Sequence, residues 1–227
     1  MSKTVLVVGA NRGLGLQFAL QYCKMNFNVY GTYRKESVDE AKELLGSEAK
    51  TFVLDLADEA SIQAASESFG DQPLDILINC AAAGNGSDKW IDATVDEFMT
   101  KFRVSAVGPY LTTKAFYPQL KRSTSPLVVN ISSNAGSISG NEKGGNLSYR
   151  TAKAALNMIT VDLARELEPD NIALIALSPG WVKTKMTKYT GHMETDEAVT
   201  RMIKVIDGIT ANDTATFHHR DGYMHTW

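Results

Sequence analysis

The feature that most restricts what this chain can fold into is an alternation. Short runs rich in Val, Ile and Leu fall at 5–8, 28–33, 51–54, 75–79, 127–131 and 172–177. They barely alternate with polar residues, as expected of strands buried on both faces. Between them, stretches at 14–25, 37–45, 59–69, 95–120 and 149–166 carry helix-forming patterns. Strand and helix in repetition imply an α/β fold: a doubly wound parallel sheet with helices on both faces. Right-handed crossovers leave few topologies. No linker, repeat or low-complexity segment interrupts residues 1–227, so a single domain is expected. Towards the end, 196–206 reads as a helix and 214–219 as a short strand ending in an Asp221-Gly222 turn. Pro179-Gly180 stops the preceding strand and opens a loop through Thr190.

Composition narrows the partners. A chain of 227 residues buries a substantial core without covalent staples. Its net charge of −3 and lack of a long basic run argue against nucleic acid or an anionic membrane. No apolar stretch reaches bilayer-spanning length, and the sequence opens directly into a strand pattern rather than a secretory leader. Cys23 and Cys80 form neither a disulfide framework nor a metal spacing. The histidines, late in the chain, lack partners at zinc-like spacing, so no metal is expected and they read as surface or packing residues. The expected location is cytoplasmic.

Chemistry gathers where strands end. The first strand runs into VVGANRGLG, placing Gly9, Asn11, Arg12, Gly13, Leu14 and Gly15 between a strand and a helix. Glycines there allow a tight turn and close approach of a pyrophosphate, which the helix N-terminus favours. The spacing differs from G-x-G-x-x-G but the mechanics are the same. The second strand ends in Tyr33-Arg34-Lys35, with no acid to bond a ribose 2′-hydroxyl. Arg34 and Arg12 suit a phosphate, so the expected cofactor is NADP(H). Asp55, before Leu56, can accept from an adenine amino group or cap the next helix. The fourth strand ends in NCAA, followed by Gly84-Asn85-Gly86. Small residues such as Ala81 let a cofactor lie close, whereas Asn79 could contact it or tie two strands. The fifth strand brings Ser132 and Ser133 to the sheet's carboxyl edge, where a hydroxyl can donate to a carbonyl oxygen. In SYRTAKAALN, Tyr149 and Lys153 lie four residues apart on one helix face. A cation beside a phenol lowers its pKa and readies it for proton transfer.

In this order the glycine turn, Asp-Leu, Asn-x-Ala, Ser-Ser, Tyr-x-x-x-Lys and Pro-Gly-x-Val-x-Thr resemble the short-chain dehydrogenase/reductase superfamily, across nearly the whole chain. GNEKGGN and the ending VIDGIT…DGYMHTW are similar to its sniffer-like carbonyl reductases and C-factor-like proteins. The resemblance implies a Rossmann-like domain that reduces a ketone, aldehyde or quinone with NADP(H). It implies Tyr149 as acid/base, Lys153 on the nicotinamide ribose and beside the phenol, and Ser133 polarising the carbonyl. Pro179, Gly180, Val182 and Thr184 would meet the nicotinamide end. Ala135, Ile138, Tyr149, Trp181, Met186 and the loop through His192 would line the substrate pocket. Three departures stand out: Val8 where relatives often carry threonine, Ala82 where glycine is common, and Ser105 for the asparagine of a proton relay. Ser105 motivates the alternative of a cofactor-binding sensor with little turnover. A homo-oligomer, dimer or tetramer, is expected through helices near 95–120 and 149–166. Leu156, Ile159 and Leu163 either join that interface or face the sheet.

Overall fold

The computed structural model describes residues 2–84, 87 and 89–227. Seven strands form one sheet: β1 (Thr4–Val8), β2 (Asn28–Tyr33), β3 (Lys50–Val53), β4 (Ile76–Asn79), β5 (Leu127–Ile131), β6 (Ala173–Ser178) and β7 (Thr216–His219). They lie in the order β3-β2-β1-β4-β5-β6-β7, and every pairing is parallel. The expected strands are all present, shifted by a residue or two at their ends. Thr214 and Ala215 fall outside β7, because Ala215 takes a left-handed turn with φ 61°.

The helices are α1 (Gly13–Lys24), α2 (Lys42–Leu45), α3 (Glu59–Phe69), α4 (Val95–Phe102), α5 (Gly108–Ala115), α6 (Tyr117–Leu120), α7 (Leu147–Glu166) and α8 (Thr195–Asp207). Strand side chains alternate between two cores. Val5, Val7, Ile78, Val129 and Ile175 pack against Phe18 and Tyr22 of α1 and Met202 and Ile206 of α8. Leu6, Val8, Leu77, Val128 and Leu174 face the other way, onto Ile62, Phe69, Phe116 and Leu120. Each such fully buried aliphatic side chain contributes about 1.5–3 kcal/mol.

Two expected helices are broken. The stretch 95–120 divides into α4, a π turn over Arg103–Val107, α5 and α6. Pro109 has no N–H to return to the carbonyl of Ser105, so the ladder widens there. Pro118 interrupts it again, at the start of α6. The stretch 37–45 is a 3-10 segment, Lys35–Ala41, followed by the single turn of α2. Ser37, whose hydroxyl accepts from Arg34, leaves helical geometry with φ −107° and ψ 19°.

The strand order reverses between β1 and β4. In doubly wound sheets the crevice for a ligand opens beyond the carboxyl ends of the strands at that point. The residues following β1 and β4 are therefore the first to inspect.

Candidate active site

At the switch point the segments that follow β1 and β4 nearly touch. A Cβ on Gly9 would fall 2.6 Å from the Cβ of Ala81. Gly9 also has φ +85°, so glycine is required there both sterically and conformationally. Its N–H donates to Thr32 Oγ1 at 3.0 Å. The hydroxyl that a threonine at position 8 would bring thus comes from β2. Gly15 admits the next close approach: its Cβ would lie 2.1 Å from the Gly9 carbonyl oxygen. Helix α1 starts with no side-chain cap and no acid in its first turn. Its N–H groups suit an anion.

Several cofactor candidates resolve into distinct local roles. Asn11 and Arg12 both bond Glu40, at 3.3 and 3.2 Å. Asp55 does not cap α3; Asp58 does, accepting from Ala60 N. Asp55 Oδ1 instead accepts from Ala57 N at 2.8 Å. Leu56 is buried against Gly108, whose Cβ would lie 2.8 Å from its own. Asn79 is buried and donates to Asn130 Oδ1 at 2.8 Å, so of its two readings the strand tie is the one the structure shows. Gly84 is described, while Asn85 and Gly86 lie outside the described residues.

On the other side of the crevice, β5 delivers Ser132 and Ser133. Ser132 points its hydroxyl at Asn157 Oδ1 of α7. Ser133 caps a short turn, accepting from Ala135 N at 3.1 Å, and stays half-buried. That turn is pressed on α7: a Cβ on Gly136 would lie 2.8 Å from the Lys153 carbonyl carbon. Such packing fixes Ser133 relative to Tyr149 and Lys153, one turn apart on α7.

The phenol of Tyr149 lies near enough to the Ser133 hydroxyl to be influenced by it, while the Ser133 Oγ itself donates to Asn134 Oδ1 and accepts from Ala135 N. Burial pushes the Tyr149 pKa above the ordinary tyrosine value, and the nearby Ser133 hydroxyl pulls it part of the way back. The lowering expected from Lys153 does not prevail in this geometry. The ammonium sits 5.9 Å from the Tyr149 ring centroid and donates to the Ile131 carbonyl at 2.7 Å. Burial brings the Lys153 pKa down to about 8. Cys80 beside it is pushed up to about 12 by burial, so its thiol stays protonated.

Ser105 lies fully buried inside the π turn, where its Oγ accepts from Ala83 N at 3.0 Å. It anchors the chain leaving β4. After β6, Pro179 and Gly180 turn with φ +68° at Gly180, and the Pro179 carbonyl is held by Arg220. Val182 is buried, and the Thr184 methyl carbon lies 3.8 Å from where a Gly13 Cβ would be. The loop after β6 therefore covers the glycine turn. Of the substrate-side candidates, Ala135 is half-buried while Ile138 and Trp181 are exposed, and Trp181 Nε1 donates to Thr190 O at 2.9 Å. His218 and His219 are buried on β7, and His192 is exposed.

Sequence reasoning missed the groups that support Tyr149. Glu97 on α4 accepts from Lys101 Nζ at 2.7 Å and from Ser148, the residue before Tyr149. Lys101, though buried, also donates to Ser148 Oγ at 2.9 Å. These bonds, with two from Ser87, hold the Glu97 carboxyl down at about 2. The i,i+4 spacing of Glu97 and Lys101 was the available signal, but such pairs are ordinarily solvent-exposed.

The comparisons with known proteins agree with this fold. Residues 3–195 match the family model described as short chain dehydrogenase. The structure of an NADPH-bound carbonyl reductase from chicken fatty liver superposes with a TM-score of 0.93 at 32% identity, covering 100% of this chain and 99% of that one. The carbonyl reductase Sniffer of D. melanogaster gives a TM-score of 0.91 at 27% identity, with 100% of both chains covered. The C-signal protein of Myxococcus xanthus is 32% identical over 158 residues, 68% of this chain and 93% of that protein. Crevice, glycine turn and serine–tyrosine–lysine group all lie within the matched residues, and this chain belongs to the short-chain dehydrogenase family.

Proposed function

We propose that the protein is an NADP(H)-dependent reductase of small carbonyl compounds, taking an apolar ketone, aldehyde or quinone to the alcohol. The observation that carries this reading is the Lys153 ammonium 5.9 Å from the Tyr149 ring centroid, with the Ser133 turn packed on the same helix, beside a glycine-lined crevice.

The donor set fits a phosphorylated dinucleotide. Arg12 and Arg34 flank the turn without an acid at the end of β2, and the first N–H groups of α1 face no side-chain cap. Gly9, Gly13, Gly15 and Ala81 would hold the pyrophosphate region, Asp55 the adenine, and Pro179, Gly180, Val182 and Thr184 the nicotinamide end. When bound, NADPH supplies the hydride. Ser133 and Tyr149 donate to the substrate oxygen as charge develops on it, and Tyr149 gives up its proton. Lys153 holds the nicotinamide ribose and stabilises the phenolate left behind. Trp181, Met186 and Ile138 supply an apolar wall, which favours apolar substrates. Both cysteines are free, as suits the reducing cytoplasm.

A second reading, a cofactor-binding sensor with little turnover, draws on Ser105. Its oxygen is engaged by Ala83 N, which leaves it a poorer relay than an asparagine would be. The similarity to the C-signal protein favours the same reading. NADPH consumption with a panel of reactive dicarbonyls and quinones separates the two. Tyr149→Phe is the direct test of the reductase: turnover falls by about 10²–10⁴-fold while NADPH binding, followed by fluorescence titration, is retained. Undiminished turnover would refute the assignment.

The protein self-associates through α4 and α7. Leu156 is buried and Leu163 packs against the core that holds Phe116 and Leu120, but Val95, Met99 and Phe102 on α4 and Met158 on α7 are exposed. They support an isologous contact.

A further inference from the structure

Three segments far apart in sequence share one carboxylate. Glu40, in the 3-10 segment after β2, accepts from Arg12 Nη1 at 3.2 Å, Asn11 Nδ2 at 3.3 Å and Lys185 Nζ at 2.9 Å. Asn11 and Arg12 belong to the glycine turn. Lys185 follows Thr184 on the loop that covers that turn. Arg34 adds its field from the end of β2, and together these cations hold the Glu40 carboxyl below its ordinary pKa. The pairs are exposed, with Glu40 at 37% and Lys185 at 65%. Pairs of that kind add little to stability and exchange partners readily.

Glu40 thus engages the donor that the proposed function assigns to the cofactor's extra phosphate. We propose that Glu40 is an internal anion competing with the 2′-phosphate of NADP(H) for Arg12 and Lys185, and that it sets how tightly the phosphorylated dinucleotide is held. The inference rests on the assignment of Arg12 to that phosphate. An arriving phosphate must displace the carboxylate or sit beside it, and both lower its affinity. NADH carries only a hydroxyl there and meets no such competitor. On release, Arg12 and Lys185 return to Glu40 rather than to water alone, which eases departure of the oxidised cofactor. The same pairs tie the loop after β6 to the glycine turn, so a change of partner at Arg12 is transmitted to that loop.

The test is a set of titrations of the whole protein with NADPH, NADH, 2′-AMP and 5′-AMP, read by calorimetry. Glu40→Gln should tighten NADPH and 2′-AMP by about three- to fivefold relative to their counterparts without the 2′-phosphate. Added salt should shrink the difference. In an Arg12→Ala background the gain should diminish, because the contested donor is gone. Unchanged or weaker NADPH binding in Glu40→Gln, or equal tightening of NADH, overturns the proposal. Arg12→Ala alone tests the reading beneath it. If that variant binds NADPH as tightly as wild type, the phosphate assignment fails and the competition with it. If it weakens NADPH while Glu40→Gln does nothing, only the role of Glu40 fails.

Discussion

Tyr149 must be protonated at working pH to act as an acid. Burial raises its pKa, so the donor is present throughout the neutral range. Lys153 is shifted the opposite way, to about 8, because the crevice desolvates an ammonium whose hydrogen-bond acceptor among the described residues is a backbone carbonyl. This has a consequence for stability. A lysine with a pKa near 10.4 in the unfolded chain and about 8 in the fold binds more protons unfolded across that interval. Its contribution to stability therefore rises between about pH 8 and 10.4, by on the order of 3 kcal/mol. Urea denaturation of wild type and Lys153→Met at pH 7 and 10 isolates it: the difference between the two proteins should change with pH in that direction. A pH-independent difference would mean that Lys153 titrates normally. The same pKa predicts that kcat/KM for carbonyl reduction falls above about pH 8, as the ammonium opposing the nascent phenolate is lost.

At the scale of elements, the proposed catalytic group depends on contacts that no strand or helix supplies alone. The turn after β5 lies on α7 through Gly136, and α4 grips the start of α7 through Glu97 and Lys101. Gly136→Ala inserts a methyl 2.8–2.9 Å from the backbone and Cβ of Lys153. Neither side is a flexible tip that can swing away. The expected cost is about 1–3 kcal/mol of stability, measured by chemical denaturation, with a loss of kcat larger than any change in NADPH affinity. The strands and most helices were legible from their apolar pattern, since burial on both faces leaves a continuous run. The break at Arg103–Val107 is not written in the apolar period, which continues through it; only the family resemblance at Ser105 hinted at an irregularity, and Pro109 removes a donor from the ladder there.

At the scale of the molecule, the crevice is a product of topology. Gly9 and Ala81 meet because β1 and β4 are neighbours and the strand order reverses between them. On α4 and α7, the exposed Val95, Met99, Phe102 and Met158 form the proposed self-association face. Sedimentation at micromolar concentration should show a species larger than the monomer, and Met158→Arg should shift it towards the monomer without unfolding it. A wild-type monomer would remove that surface from consideration. Among the described residues no helix is long and apolar enough to cross a membrane.

The sequence by itself determined the sheet and the glycine turn, and singled out Ser133, Tyr149 and Lys153 as candidates. Each is written in a local pattern: a run of buried side chains, glycines between a strand and a helix, or two residues one helical turn apart. Only the tertiary structure decided how those groups are charged and held. The pKa of Tyr149 follows from burial rather than from its neighbour four residues on. Glu40 reaches Arg12 and Lys185, and Glu97 reaches Ser148, across separations that no pattern encodes. Electrostatics and packing depend on distance in space, and distance in space is set by the whole sheet order at once.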